Sequence, residues 1–374
     1  MKKLFVIAAV TLASGAAFAS KARLTALGNA EHLVDTQTIF ENPADAALWG
    51  DWATFEMGTG ALSYTPATAN GATGATAGQP IPEGGLVRSA GDARWGFYLG
   101  HRSNTIALTR TPFNAAGITV QEENPVELFY AQKADLNWGA SLWYSNSDKK
   151  ATQIKQNTAG LRLGARTAVW DANLTVGIAN TAKNDLTTAE VKGNPSARLG
   201  GGYYFDTLYV YGSYGMTGYK ATTGGNEVSN WDANQIAVGV IDTMKKDGTD
   251  FFYGVSYHAD TYKNKVGNGT KSDATYLPVV IGIEAEANTW MVLRASVTQN
   301  LILGTIKDET GLVATGAAFT EANTWENSTT VGVGTGIKLN KFTLDTTLAA
   351  ATNGGMIGTD SSNFLGNASL TYMF

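Results

Sequence analysis

Apolar residues recur at every second position through most of this chain. Leu136, Trp138, Ala140, Leu142 and Tyr144 share one face, against Asn137, Gly139, Ser141 and Ser145 on the other, with Trp143 as an exception. Phe251, Tyr253, Val255 and Tyr257 alternate with Gly254, Ser256 and His258. Met291, Leu293, Ala295 and Val297 alternate with Arg294, Ser296 and Thr298, and Phe342, Leu344 and Leu348 with Thr343, Asp345 and Thr347. Period two predicts strands with one apolar wall and one polar wall.

A soluble sandwich would show the same alternation with its apolar faces inward. Three features favour a membrane barrel. The segments approach the roughly 9–11 residues that a tilted strand needs to cross a bilayer. Their polar face is built of Gly, Ser, Thr and Asn rather than Lys and Glu. Aromatic residues sit near segment ends, Trp52, Tyr219, Trp231, Trp290, Phe342 and Phe374 among them, as in interfacial girdles.

The alternation predicts sixteen strands, near 52–62, 93–101, 105–111, 126–133, 136–145, 157–167, 172–180, 195–205, 207–219, 231–242, 249–258, 274–287, 289–303, 328–339, 342–351 and 364–374. Without 52–62 and 105–111 the count is fourteen. Short connections at 102–104, 134–135, 168–171, near 206, 243–248, near 288 and 340–341 take turns with long ones at 63–92, 112–125, 146–156, 181–194, 220–230, 259–273, 304–327 and 352–363. Outer-membrane barrels alternate short periplasmic turns with long external loops in this way. The expected fold is therefore all-β, a transmembrane antiparallel up-and-down barrel over 52–374, behind a short N-terminal helical or plug segment over 20–51.

Composition and charge agree. Only 16% of residues are charged, against roughly 25% in soluble domains, as expected where half of each strand meets lipid. With 44% hydrophobic residues the chain can support burial, and without Cys it has neither a disulfide framework nor thiolate metal ligands. A net charge of -5 argues against nucleic acid as a partner. Lys2 and Lys3, an apolar run from Leu4 to Ala13, and Ala17-Phe18-Ala19 read as a secretory signal peptide over 1–19, cut before Ser20.

Residues 23–46 read RLTALGNAEHLVDTQTIFENPADA. The spacing of Arg23, Gly28, Asp35 and Asn42-Pro43-Ala44 resembles the opening segment of the long-chain fatty acid transporter superfamily of outer-membrane barrels. The resemblance covers about thirty residues and implies a short helical element near the barrel mouth. Asn42 as cap with Pro43 in the first turn is also sound chemistry for an ordinary capped helix. That family encloses an apolar ligand pocket, and the alternation here offers no apolar inward face to build one. The last strand, with Leu370, Tyr372 and Phe374 on one face, resembles the C-terminal strand of outer-membrane barrels. The resemblance implies that Tyr372 and Phe374 are read by the assembly machinery.

If apolar positions meet lipid, their alternates meet the lumen. This parity puts Arg94, Arg162, Arg166, Arg198, Arg294 and Lys338 inside, with Glu56, Glu127, Glu284, Glu286 and Asp345. A mid-membrane Arg or Lys costs roughly 2–4 kcal/mol on the lipid side. Arg162, Arg166 and Arg198 would form a basic ladder facing acids across the lumen, or pair with those acids and hold the wall together. His32, His101 and His258 lie on separate segments, so no catalytic centre is expected, nor a metal or cofactor. The expectation is a porin in the cell outer membrane that passes small hydrophilic solutes and ions by diffusion. Its rivals are a transporter for hydrophobic compounds and a structural or adhesive barrel with a blocked lumen. Expected partners are outer-membrane lipid and lipopolysaccharide; a homotrimer follows only by analogy with other sixteen-stranded porins.

Overall fold

A strand with lipid on one face must satisfy every backbone N–H and C=O within its sheet, which requires the sheet to close. The computed structural model describes residues 20–59, 80–103, 120, 122–266, 269, 271–302, 307–308, 328–353 and 363–374. Its strands are β1 (Trp52–Thr59), β2 (Pro80–Ala90), β3 (Ala93–Leu99), β4 (Val126–Gln132), β5 (Asn137–Lys149), β6 (Ile154–Arg166), β7 (Trp170–Asn184), β8 (Ala189–Gly193), β9 (Ser196–Phe205), β10 (Leu208–Thr223), β11 (Asn226–Lys246), β12 (Thr249–Asn264), β13 (Lys271–Asn288), β14 (Met291–Ile302), β15 (Lys307–Asp308), β16 (Ser328–Leu339), β17 (Phe342–Asn353) and β18 (Asn363–Met373). β1 pairs with β2 on one side and β18 on the other, which closes an antiparallel ring. β8 and β9 share one line between β7 and β10 and count as one interrupted strand. β15 pairs with β13 outside the ring. The wall therefore has sixteen strands, as expected.

The outward positions carry the apolar residues. Phe55, Leu199, Val238, Tyr253, Val297 and Leu348 are all exposed, while Phe252, Arg294 and Asp345 on the alternate face are buried. A closed ring with an apolar outside has lipid as its natural solvent.

The membership of the sixteen differs from the expectation in one strand. β2 lies inside the stretch 63–92 read as a long loop. Its sequence, PIPEGGLVRSA, replaces apolar alternates with Pro and Gly, so no period-two signal is present. The expected strand at 105–111 lies outside the described residues. β2 and β3 are joined by a short turn at 91–92.

The strands also run further than expected. β11 has 21 residues, about 70 Å of chain at roughly 3.3 Å per residue, against an apolar band only about 25 Å tall. The expected loop at 220–230 shrinks to a turn at Gly224 and Gly225, both at positive φ. The expected loop at 146–156 shrinks to 150–153. These hairpins stand above the membrane, and there the faces invert. Tyr219 is buried and Lys220 is exposed.

Burial on the inner face corrects two expectations. Trp52, Tyr219 and Trp231 are buried inside the ring and do not belong to a lipid girdle, unlike the exposed Trp290, Phe342 and Phe374. The inner face is also not uniformly polar. Val120, Tyr219, Trp231, Tyr262 and Tyr276 form a buried cluster with Ala182, Ala189 and Val191.

Candidate functional site

The segment from Ser20 to Asp51 runs through the interior of the ring. Ser20 Oγ caps helix α1 (Lys21–Ala26) by accepting from Arg23 N–H. Gly28 follows at φ +68, and a Cβ there would lie 2.8 Å from Thr298 Oγ1, so only glycine fits both conformation and space. Asn42 Oδ1 accepts from Ala44 N–H at 3.1 Å, and Pro43 opens the turn, as the sequence implied. That turn is a 3-10 helix over Pro43–Ala47 rather than an α-helix. Thr38 Oγ1 bonds Asp45 Oδ2 at 2.5 Å and ties it back to the preceding stretch.

The wall is shaped to receive this turn. A Cβ on Gly139 of β5 would lie 2.5 Å from the Pro43 carbonyl, and one on Gly164 of β6 would lie 1.9 Å from Asn42 Oδ1. Asn42 Nδ2 donates to Ala165 O at 3.3 Å. Ile39, Phe40, Ala46 and Ala47 pack on Trp52, Val87, Tyr98 and Phe129 of the wall. Phe40 stacks on His101 with ring centres 3.5 Å apart.

Ion pairs hold the segment at both ends. Arg23 Nε donates to Glu284 Oε2 at 2.8 Å, and its Nη1 lies 3.7 Å from Asp35. Lys21 Nζ meets Glu83 at 2.7 Å, while Lys21 N–H reaches the Glu56 carboxylate. At the other side Arg166 on β6 bonds Asp45, with Asp171 3.6 Å away. Arg198 on β9 faces Glu41 at 3.4 Å and Glu31 at 3.8 Å. Charges anchored on β2, β13, β6 and β9 thus grip one strand of chain from around the ring.

Burial sets the titration of the segment. It pushes the Asp35 carboxyl up to about 7, against the pull of Arg23. It pushes His32 down to about 3, helped by the positive charge of Arg23.

The eleven charged residues placed inward by parity separate into groups. Arg166, Arg198, Glu56 and Glu284 touch the segment. Arg294 stands behind them, bonded to Glu284 and to Asp345 at 2.6 Å each. Arg162 is sealed in the wall, 2% exposed, paired with Glu127 and 4.3 Å from the Trp143 ring centre. Arg162 and Arg166 share a face but form no common ladder, because each turns to a different carboxylate. Lys338 pairs with Glu286 at 2.9 Å, and Arg94 bonds the backbone of Gly91 and Ala93. Tyr372 and Phe374 contact each other on the outer face, with ring centres 5.0 Å apart.

Glu83, which pairs with His101 at 3.2 Å, was not among the expected site residues, since it fell in a presumed loop. Nor was Asp171, although its alternation with Ala172 and Leu174 was legible. The acids of the segment, Glu31, Asp35, Glu41 and Asp45, recur every four to six residues; that density was the available signal. Between segment and wall lies a polar cleft of about 30 Å³, lined by Glu31, Glu41, Asp45, Arg166, Asp171 and Arg198. That is room for about two waters.

No protein-family model matches the chain, and no curated protein matches it. Solved structures do. The CymD monoaromatic hydrocarbon channel is 12% identical over 94% of this chain and 97% of its own, with a TM-score of 0.44. A Pseudomonas aeruginosa FadL homologue is 11% identical over 94% and 97%, with a TM-score of 0.46. A porin is 10% identical over 87% and 99%, with a TM-score of 0.41. The closed ring and its apolar outside make this chain a β-barrel of the outer-membrane type.

Proposed function

We propose that the protein is an outer-membrane channel for small hydrophilic solutes and ions, with the segment over 20–51 as its closure. The observation that carries this reading is the grip of Arg166 and Arg198 on Asp45, Glu31 and Glu41. A sixteen-stranded barrel is wide enough for a water-filled lumen. Here that width is occupied by a chain held through charged groups, which water can solvate when the segment leaves, and through apolar contacts such as those of Ile39 and Phe40 with Trp52 and Tyr98. Once separated, the segment leaves Arg166, Arg198 and Asp171 lining a wet passage of both charge signs.

Liposome swelling tests the reading. Vesicles holding the protein should swell in a small neutral sugar, and faster when residues 20–51 are deleted. Swelling no faster than in empty vesicles, with or without the segment, would overturn it.

The buried cluster of Tyr219, Trp231, Tyr262 and Tyr276 favours a second reading, a route for hydrophobic compounds. Uptake of a small aromatic solute, with sugars excluded, would support it over the first.

A further inference from the structure

The wall changes character at Asn194 and Pro195, where β8 gives way to β9. β10 pairs with β9 as far as Met216 and with β8 again only from Tyr219. Pro195 has no N–H to give a ladder. Asn194 bridges the gap by donating from its N–H to Gly218 O and from Nδ2 to Asp232 Oδ1, each at 2.9 Å. The gap leaves a cavity of about 370 Å³, lined by Asn194, Pro195, Met216, Asn230, Asp232 and Lys265. Met216, Asn230 and Asp232 belong to the outward set of their strands.

Its height on the barrel is fixed by its neighbours. Tyr214 and Ile236, exposed on the outer face, lie just below it in the apolar belt. Above it the outer face is charged. Lys192 on β8 stands directly opposite Lys220 on β10, both exposed. Lys265 lies at the rim, 40% exposed. Glu190, Glu227 and Asp232 pair with these three lysines in turn. They offset the charge but leave Lys192 and Lys220 facing each other, which costs a sheet stability. An anion held between the two ammonium groups removes that cost.

We propose that this notch seats the headgroup of a phosphate-bearing glycolipid of the outer leaflet. The phosphate lies between Lys192, Lys220 and Lys265. Asn194 and Asn230 meet sugar hydroxyls, and an acyl chain runs down over Met216 and Tyr214. The apolar surface of Met216 and Tyr214 and the lysine ammonium groups of the rim match the two ends of such a lipid, at the level where membrane passes into water. This rests on the barrel spanning the outer membrane with its long connections outward, and on nothing about what crosses the lumen. A failed swelling assay therefore leaves it standing.

The test is titration of the purified full chain in detergent with lipid A and with a phosphate-free lipid A. The wild type should bind the first and bind the second far more weakly. Lys192→Glu with Lys220→Glu should weaken lipid A binding roughly tenfold or more. Lys246→Glu, exposed at the short-turn end, should leave it unchanged, and sugar permeation should be the same in all. Equal binding by wild type and double variant overturns the proposal. So does equal binding of the two lipids by the wild type, which decides the matter even if the double variant does not fold.

Discussion

Arg23 and Glu284 are bonded at 2.8 Å although 261 positions separate them in the chain. The contact joins the N-terminal part of the segment over 20–51 to β13. Glu284 also receives Arg294, which in turn holds Asp345. One carboxylate thus serves two guanidinium groups, and the segment completes a network that the wall begins. Arg23→Glu should set Glu284 against a second carboxylate and free the N-terminal end. Protease cleavage before residue 51 in intact, folded barrel is the measurement, and cleavage should rise well above wild type.

The Arg166 and Asp45 pair permits a reciprocal test. Removing one partner of a buried pair costs about 3–5 kcal/mol. Arg166→Glu should therefore loosen the segment, and Asp45→Arg added to it should restore much of the docking. Channel current at fixed voltage reads both steps. A double variant as leaky as the single one would show that the pair does not hold the segment.

Gly164 offers a steric test without any change of charge. A methyl group there meets Asn42 Oδ1 at 1.9 Å. Gly164→Ala should release the Asn42 turn while the barrel keeps its heat-modifiable migration on a gel. If cleavage of the segment matches wild type, the close approach is not what seats it.

Two groups in the segment oppose each other in pH dependence. Asp35 is raised from 3.8 to about 7, so its contribution to docking is full below 3.8 and lost as pH rises through 7. His32 is lowered from 6.5 to about 3, so its contribution is full above 6.5 and lost as pH falls toward 3. Between about pH 4 and 6.5 the two cancel. Relative to wild type, His32→Gln should dock more tightly as pH falls across that window, and Asp35→Asn less tightly. Cleavage rate against pH checks the signs; profiles parallel to wild type in both variants would contradict them.

Arg162 and Arg198 should behave differently. Arg198 is 40% exposed at the cleft, whereas Arg162 is sealed against Glu127 and Trp143. Arg198→Glu should shift the reversal potential toward cations. Arg162→Ala should leave it unchanged and lower the melting temperature.

The lipid-facing wall was legible in the sequence because lipid favours period two along each spanning strand, as from Met291 to Val297. The sites that escaped lie where that constraint lapses. β2 borders glycine and proline that carry no polarity signal, so Glu83 was lost with it. Tyr219 and Trp231 sit above the membrane, where the outer face meets water and apolar side chains turn inward. An aromatic residue near a strand end looks the same in either case. Asn42-Pro43 and Arg23 were legible as a motif, but their partners Gly164 and Glu284 are distant in the chain. Only the closed ring brings them together.

Whether the segment must leave for solutes to pass is tested by a reversible lock. The chain has no Cys, and a Cβ on Gly164 lies 3.0 Å from Asn42 Cγ. A disulfide between Asn42→Cys and Gly164→Cys should fix the turn to β6. In single-channel recording the oxidised variant should show no conducting steps, and reduction should bring them back. Steps of the same size and frequency in both states would contradict the account.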